Sequence, residues 1–226
     1  MSDSFQRLKI LIGDENFSRL AASTVALFGI GGVGSFAAEA LARSGVGHLV
    51  LIDADNVDVT NINRQLHALR STVGMSKVEL MRERIKQINP AATVDTVQKF
   101  LLPGDAEDFF LCRYDYVVDA IDTLSAKIFL VEECQRRGVK IISSMGAGNK
   151  FDATRFKVGD IFETSFDPVA KIMRKQLRSR GINRLKVVWS DEVPRRVEGA
   201  IGSTAFVPSV AGLIMAGEVV RDLISG

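Results

Sequence analysis

The run Gly29-Ile30-Gly31-Gly32-Val33-Gly34 limits the folds open to this chain more than any other segment. It has the spacing G-x-G-x-x-G, with Gly29, Gly31 and Gly34 at the defining positions and Gly32 added. An apolar β-branched run at residues 24–28 (TVALF) precedes it, and a small-residue amphipathic run at 33–43 (VGSFAAEALAR) follows it. A buried strand, a tight glycine turn and a helix therefore come in succession. Such a turn lets backbone approach phosphates closely, and the helix start adds free N–H groups and a partial positive charge. A second strand at 48–52 (HLVLI) ends at Asp53, where an acid can accept hydrogen bonds from ribose hydroxyls. The glycine motif does not separate NAD, FAD and ATP.

The alternation continues along the chain. Residues 76–89 read as a helix, with Ser76 as its cap, Glu79 three residues on as in a capping box, and Pro90 closing it. Val78, Met81, Ile85 and Ile88 form its apolar stripe. Residues 93–97 and 114–120 read as strands, 125–137 as a helix and 139–143 as a fifth strand. Strand and helix in alternation imply an α/β fold on a doubly wound, mostly parallel, Rossmann-like sheet, with ligands beyond the carboxyl ends of the strands. Those ends are Gly29, Asp53, residues 119–122 and residues 144–148. After Asn149 the pattern changes to a short strand pair, a basic helix, an irregular segment around Trp189 to Arg196, and a small-residue-rich helix. We expect one domain over residues 1–226: an arm at 1–22, a nucleotide-binding core at 23–149 and a substrate-side elaboration at 150–226.

Composition narrows the function classes. Charged residues make up 25% and apolar residues 46%, enough for a sizeable core. Net charge is only +2, which excludes a polycation. Two cysteines, Cys112 and Cys134, exclude a disulfide scaffold and a four-cysteine zinc site, and both read as small buried hydrophobes. The start MSDSFQRLKI has no apolar run behind a basic tip, so no signal peptide is expected. Residues 207–224 are apolar, but Glu218, Arg221 and Asp222 interrupt them, which reads as a core or dimer-interface helix and not a membrane span. The expectation is a soluble cytoplasmic protein.

The stretch after Asp53 discriminates among nucleotides. It reads Asp53-Ala54-Asp55-Asn56-Val57-Asp58-Val59-Thr60-Asn61-Ile62-Asn63-Arg64-Gln65. Hydride transfer needs no arginine or second acid here. Attack on a triphosphate does, because its charge must be offset by cations and its magnesium held by carboxylates. Arg64 and Lys77 are candidate cations, and Asp122, just past the fourth strand, is a candidate Mg2+ ligand.

Taken together, GIGGVGS, the DADNVDVTNINRQ run, Lys77 and DAID at residues 119–122 resemble the ubiquitin-activating-enzyme-like adenylyltransferases, the superfamily of ThiF, MoeB and HesA. The resemblance covers residues 7–148. It implies a homodimer that activates a carboxylate with ATP and Mg2+. It further implies that Asp53 binds ribose, that Asn61 and Arg64 contact the phosphates, that Lys77 stabilises the leaving phosphates, and that Asp55 and Gln65 belong to the same nucleotide-binding set. Asp122 would bind magnesium. The opening RLKILIG resembles the superfamily's N-terminal arm, from which Arg7 would reach the partner subunit's ATP.

The second half bears on which carboxylate is activated. Asp167-Pro168 reads as a helix start. Lys171, Arg174, Lys175 and Arg178 then fall at i, i+3, i+4 and i+7 on one face, with Val169, Met173 and Leu177 beneath. Residues 171–196 hold nine basic and two acidic residues, a net of +7 in a chain of +2 overall. Such polarity suits a phosphate backbone, with these side chains supplying position and salt-sensitive affinity. Trp189 is either a base-stacking residue or a packed tryptophan.

FDPVAKIMRKQLRSRGINRLKVVWSDEVPRR, NRQLHALRSTVG and RIKQINP are similar to the tRNA-modifying dehydratase branch of the superfamily. That resemblance implies ATP-dependent cyclisation of threonylcarbamoyladenosine at tRNA position 37. The threonyl carboxylate would be activated as an acyl-adenylate and attacked by a nitrogen of the same substituent. The nucleophile is tethered, so ring closure has a high effective molarity and needs no enzyme thiol. Some members of the branch carry a late cysteine, whereas this chain reads Glu198-Gly199-Ala200-Ile201-Gly202 there. A cysteine desulfurase or sulfur acceptor stays open as a partner. Two alternatives share parts of the pattern. One is adenylation of a ubiquitin-fold sulfur carrier, and the other is an NAD-linked oxidoreductase or a non-catalytic nucleotide-binding module.

Overall fold

In a computed structural model of the chain, residues 4–102, 104–199 and 201–225 are described. Residues 1–3 of the arm, and Ala200 in the segment that lacks the late cysteine, lie outside them. Two short helices, α1 (Gln6–Ile12) and α2 (Asp14–Ala22), lead into β1 (Thr24–Phe28), α3 (Gly34–Arg43) and β2 (His48–Ile52). Then come α4 (Lys77–Ile88), β3 (Thr93–Val97), α5 (Ala106–Phe109), β4 (Tyr116–Asp119), α6 (Leu124–Arg137) and β5 (Lys140–Ser144). The last part holds β6 (Phe156–Asp160), α7 (Pro168–Ser179), β7 (Lys186–Ser190) and α8 (Val207–Ile224).

The strands form one sheet in the order β3-β2-β1-β4-β5-β7-β6. Every neighbouring pair is parallel except β6 and β7. Alternate residues of β1 explain the layering. Val25 and Leu27 join Leu49, Leu51 and Val118 under α3, α4 and α8. Ala26 and Phe28 join Val50, Ile52 and Val117 under α6 and the Phe109–Phe110 corner. Both sheet faces are covered, so the strands read as continuous apolar runs and not as alternating ones. A third cluster packs Met173 and Leu177 of α7 with Ile128 and Val131 of α6 and with Val187 and Trp189 of β7.

Three local expectations change. Trp189 is not in an irregular segment but in β7, and it is 6% exposed, so it is a packed tryptophan. The Ser76–Glu79 capping box does not form: the Ser76 hydroxyl is buried without a partner, and Glu79 accepts from Thr96 Oγ1 at 2.6 Å. Ser76 instead makes a backbone bridge to Asn56, and β3 draws Glu79 away from the helix start. Cys134 is buried as expected, but Cys112 is exposed, because it lies on the connection just before β4 and not in an element.

Candidate functional site

A cavity of about 660 Å³ opens at the carboxyl ends of β1, β2, β4 and β5. This is where the strand order reverses, between β1 and β4, and where a doubly wound sheet leaves a crevice. Gly29, Gly31 and Gly32 form one wall. Gly29 has φ +87°, and a Cβ there would lie 2.7 Å from the Ala120 carbonyl oxygen, so only glycine fits. Gly34 is not on the wall: a Cβ there would collide with the Gly29 carbonyl, so this glycine serves the close packing of α3 on the loop.

Asp53 anchors the glycine turn. One carboxylate oxygen accepts from the Ile30 amide at 2.6 Å and the other from the Asp55 amide at 2.9 Å. Burial raises its pKa and outweighs the Lys77 charge and those two amides, which lower it. Lys77, the first residue of α4, is 5% exposed and donates to Asp55 at 2.7 Å, with Asp53 at 3.9 Å. All three line the cavity, as do Arg64, Gln65 and Asp122. Arg64 uses Nη1 on the Thr60 carbonyl (2.8 Å) and on Asn63 Oδ1 (3.0 Å). Its other nitrogens donate to nothing among the described residues. The Gln65 side-chain oxygen, Oε1, is buried without a partner among the described residues.

Asn61 does not join them. It is buried, and its side-chain oxygen accepts from the Asp58 amide at 3.0 Å, closing a capping box on the turn before Arg64. Nor does Arg7 reach the cavity of its own chain. It is exposed on α1, a helix with no buried residue.

Asp119 and Asp122, three residues apart, have opposite surroundings. Asp119 is fully buried, pairs with Lys127 at 2.9 Å and accepts from the Ser143 hydroxyl. Asp122 is exposed on the cavity wall and, among the described residues, accepts only from Thr123 Oγ1, at 3.3 Å. Among the described residues no three His, Cys, Asp or Glu side chains cluster as a metal cage. Magnesium needs none, since one or two carboxylates and nucleotide phosphates suffice. Asp122 fits that requirement and Asp119 does not.

The far wall joins the second half to the first. Lys150 donates to Asp167 Oδ2 (2.7 Å), to the Gly146 carbonyl (2.7 Å) and to the Ser190 carbonyl (3.3 Å). Asp167 also caps α7 by accepting from the Ala170 amide at 3.0 Å, as its Asp-Pro sequence predicts. One buried ammonium thus holds the Gly146–Gly148 loop, the end of β7 and the start of the basic helix together. Sequence reasoning missed Lys150 and Lys127. The available signal was a lysine set among apolar or glycine neighbours.

The basic face of α7 divides in two. Lys171 and Lys175 are exposed. Arg174 is half-buried and donates to the Thr164 carbonyl at 3.0 Å and to its hydroxyl, while Arg178 stacks over Phe162 at 5.0 Å. These two arginines make contacts within their own chain, whereas Lys171 and Lys175 have no partner among the described residues. None of the four lines the cavity; the start of α7 does. Among the described residues no helix is long and apolar enough to cross a membrane.

The ThiF family model matches residues 5–225. The tRNA threonylcarbamoyladenosine dehydratase of Bacillus subtilis is 50% identical over 99% of this chain and 96% of its own length. The Escherichia coli protein of that name is 44% identical over 75% of this chain and 63% of its own length. The crystal structure of E. coli tRNA N6-threonylcarbamoyladenosine dehydratase, TcdA, in complex with ATP superposes with a TM-score of 0.92 at 36% identity, covering 98% of this chain and 94% of that one. The chain belongs to the ThiF family, and its relatives there include tRNA threonylcarbamoyladenosine dehydratases.

Proposed function

We propose that this chain uses ATP to activate the threonyl carboxylate of threonylcarbamoyladenosine in tRNA, and that it then closes the activated group into a ring. The observation that carries the reading is a shared cavity: the glycine turn, Arg64 and Lys77 open into the same space as the Gly146–Gly148 loop and the start of α7. Triphosphate and acid are read as meeting in this one cavity. Full-length similarity to the B. subtilis dehydratase, at 50% identity, supports the same substrate.

In this reading the glycine turn and the start of α3 cradle the phosphates. Asp53, with Asp55, binds ribose, and Gln65 lies at the phosphates. Arg64 and Lys77 offset charge that grows on the leaving pyrophosphate as the carboxylate oxygen bonds to the α-phosphorus. Fixed cations in a partly dry site stabilise such charge without reorganising. A nitrogen of the same substituent then attacks the acyl carbon, loses its proton, and expels AMP. The acyl carbon and the nitrogen are now joined in a ring, one carboxylate oxygen has left on AMP and the nitrogen has given up its proton, so the substituent has lost one water at the expense of ATP, which becomes AMP and pyrophosphate. Asp122 would hold magnesium, which when bound with ATP neutralises phosphate charge. Lys171 and Lys175 bind the tRNA backbone. The enzyme works as a cytoplasmic homodimer in which Arg7 reaches the partner subunit's ATP.

The test is nucleoside mass spectrometry. Purified chain, ATP and tRNA bearing threonylcarbamoyladenosine are incubated, and the digest is examined for loss of one water with release of AMP and pyrophosphate. Unchanged nucleoside, or AMP formation that requires a Gly-Gly-ended carrier protein in place of tRNA, refutes the reading.

A further inference from the structure

The chain's single tryptophan, Trp189, is buried, yet aromatic faces are exposed elsewhere, at the cavity rim. Phe151 is 54% exposed and Phe206 46% exposed. Their ring centroids lie 5.4 Å apart at 84°, so they meet edge to face and form a corner. The Arg195 guanidinium lies 4.8 Å from the centre of the Phe151 ring. Each of the three sits within two residues of the cavity wall: Phe151 follows Lys150, Arg195 follows Pro194, and Phe206 lies two residues before Pro208.

The backbone under this corner is fixed. Asn149, at φ +59°, donates its amide to the Gly202 carbonyl (2.8 Å) and accepts the Gly202 amide on its side chain (2.7 Å). Its own carbonyl accepts from the Arg195 amide at 2.7 Å. The Glu192 carboxylate accepts from the amides of Phe151 (2.9 and 3.0 Å) and Asp152 (2.9 Å). Three chain segments are thus tied together beneath rings that water still reaches. Exposed, pre-ordered aromatic faces beside a cavity mark a binding surface.

The arginine on the ring bears on the occupant. Acids and bases balance across the segment as a whole, where Asp191 is paired with Arg155 (2.6 Å) and Lys157 (2.5 Å) and Glu192 and the exposed Glu198 keep their charge, but the group that lies on the aromatic face itself is the Arg195 guanidinium, with the exposed Arg196 beside it. A single-stranded nucleic acid brings phosphates and unstacked bases, which stack on phenylalanine rings and guanidinium planes whatever their identity.

We propose that Phe151, Phe206 and Arg195 form a stacking platform for an unpaired nucleobase flanking the modified nucleotide, holding the RNA strand at the rim while the modified substituent enters the cavity. The platform rests on the tRNA reading above and adds to it a base-binding subsite distinct from the lysines of α7. It contributes affinity and placement without base selection.

The test is the affinity of the full chain for a fluorescein-labelled anticodon stem–loop carrying threonylcarbamoyladenosine, read by anisotropy. Phe151→Leu and Phe206→Leu keep apolar bulk but lose the aromatic face, and Phe151→Tyr restores it. Each leucine variant is expected to weaken binding about tenfold, and the tyrosine variant to recover it. RNA made abasic at one flanking position is expected to bind parent and Phe151→Leu alike, because the interaction is already gone. Unchanged affinity in both leucine variants, or a tenfold loss that persists on every abasic RNA, overturns the platform. So does a loss that tracks dissociation of a dimer in light scattering, which assigns the rings to a subunit contact. Water loss from the nucleoside is scored separately. Coupled binding without turnover supports the platform and removes the dehydratase reading, and turnover without coupling does the reverse.

Discussion

Removing the Lys150 ammonium tests how the two halves of the cavity are held together. Lys150 and Asp167 have side chains 1% and 0% exposed, so solvent screens neither. Lys150→Met keeps most of the stem volume but deletes the bonds to Asp167, Gly146 and Ser190. Asp167 is then a buried charge whose remaining donors are the amides of Ala170 and Gly146. Breaking a buried pair by removing one partner costs ~3–5 kcal/mol. In a chain of 226 residues each kcal/mol moves the melting temperature by roughly 2–4 °C, so a fall of roughly 6–20 °C is expected. Asp167→Asn keeps an N-cap oxygen on α7 while removing the charge. The double variant should therefore be more stable than Lys150→Met alone, by ~1–3 kcal/mol. Urea unfolding at constant m value measures all three. A Lys150→Met cost below about 1 kcal/mol, or a double variant as unstable as the sum of the singles, refutes the account that an unpaired buried charge dominates.

Other perturbations probe the remaining groups. Arg64→Ala should lower ATP-dependent pyrophosphate release by at least about 100-fold; turnover within a few-fold of the parent removes Arg64 from the phosphate site. Reversing charge at Lys171 and Lys175 should weaken tRNA binding and reduce the slope of log affinity against log salt by about 2, and an unaltered slope excludes phosphate contacts there. His67 has both ring nitrogens buried without partners, and burial, then the nearby Lys77 charge, lowers its pKa from 6.5 to about 4. Between these values the unfolded chain binds the proton and the folded chain does not. Its contribution is present in full above pH 6.5 and is lost as pH falls toward 4, by ~3 kcal/mol at most. His67→Leu should flatten that part of the pH–stability curve; a curve parallel to the parent's places the titration elsewhere.

The limits of sequence reading show in particular residues. Asn61 sits one turn before Arg64 in a polar run, and nothing local says that its amide would cap the Asp58 turn while the arginine faces the cavity. Arg174 and Lys171 share a helix face and a charge sign, yet Thr164 captures one and leaves the other free. Cys112 follows Phe109-Phe110-Leu111 and Cys134 follows Glu132-Glu133, yet it is the second, on α6, that the sheet covers.

What the sequence determined by itself is local in origin. The strand–glycine–helix succession at residues 24–43, the acid ending β2, the Asp167-Pro168 helix start and the α/β alternation each follow from neighbours a few residues apart, where backbone sterics and apolar period act directly. Only the tertiary structure decided that Lys150 meets Asp167 and Ser190, that Lys127 neutralises Asp119 while Asp122 stays available, and that Phe151, Arg195 and Phe206 share one corner. Burial and charge pairing belong to residues brought together across long stretches of chain, and no periodicity within one element encodes which of them will meet.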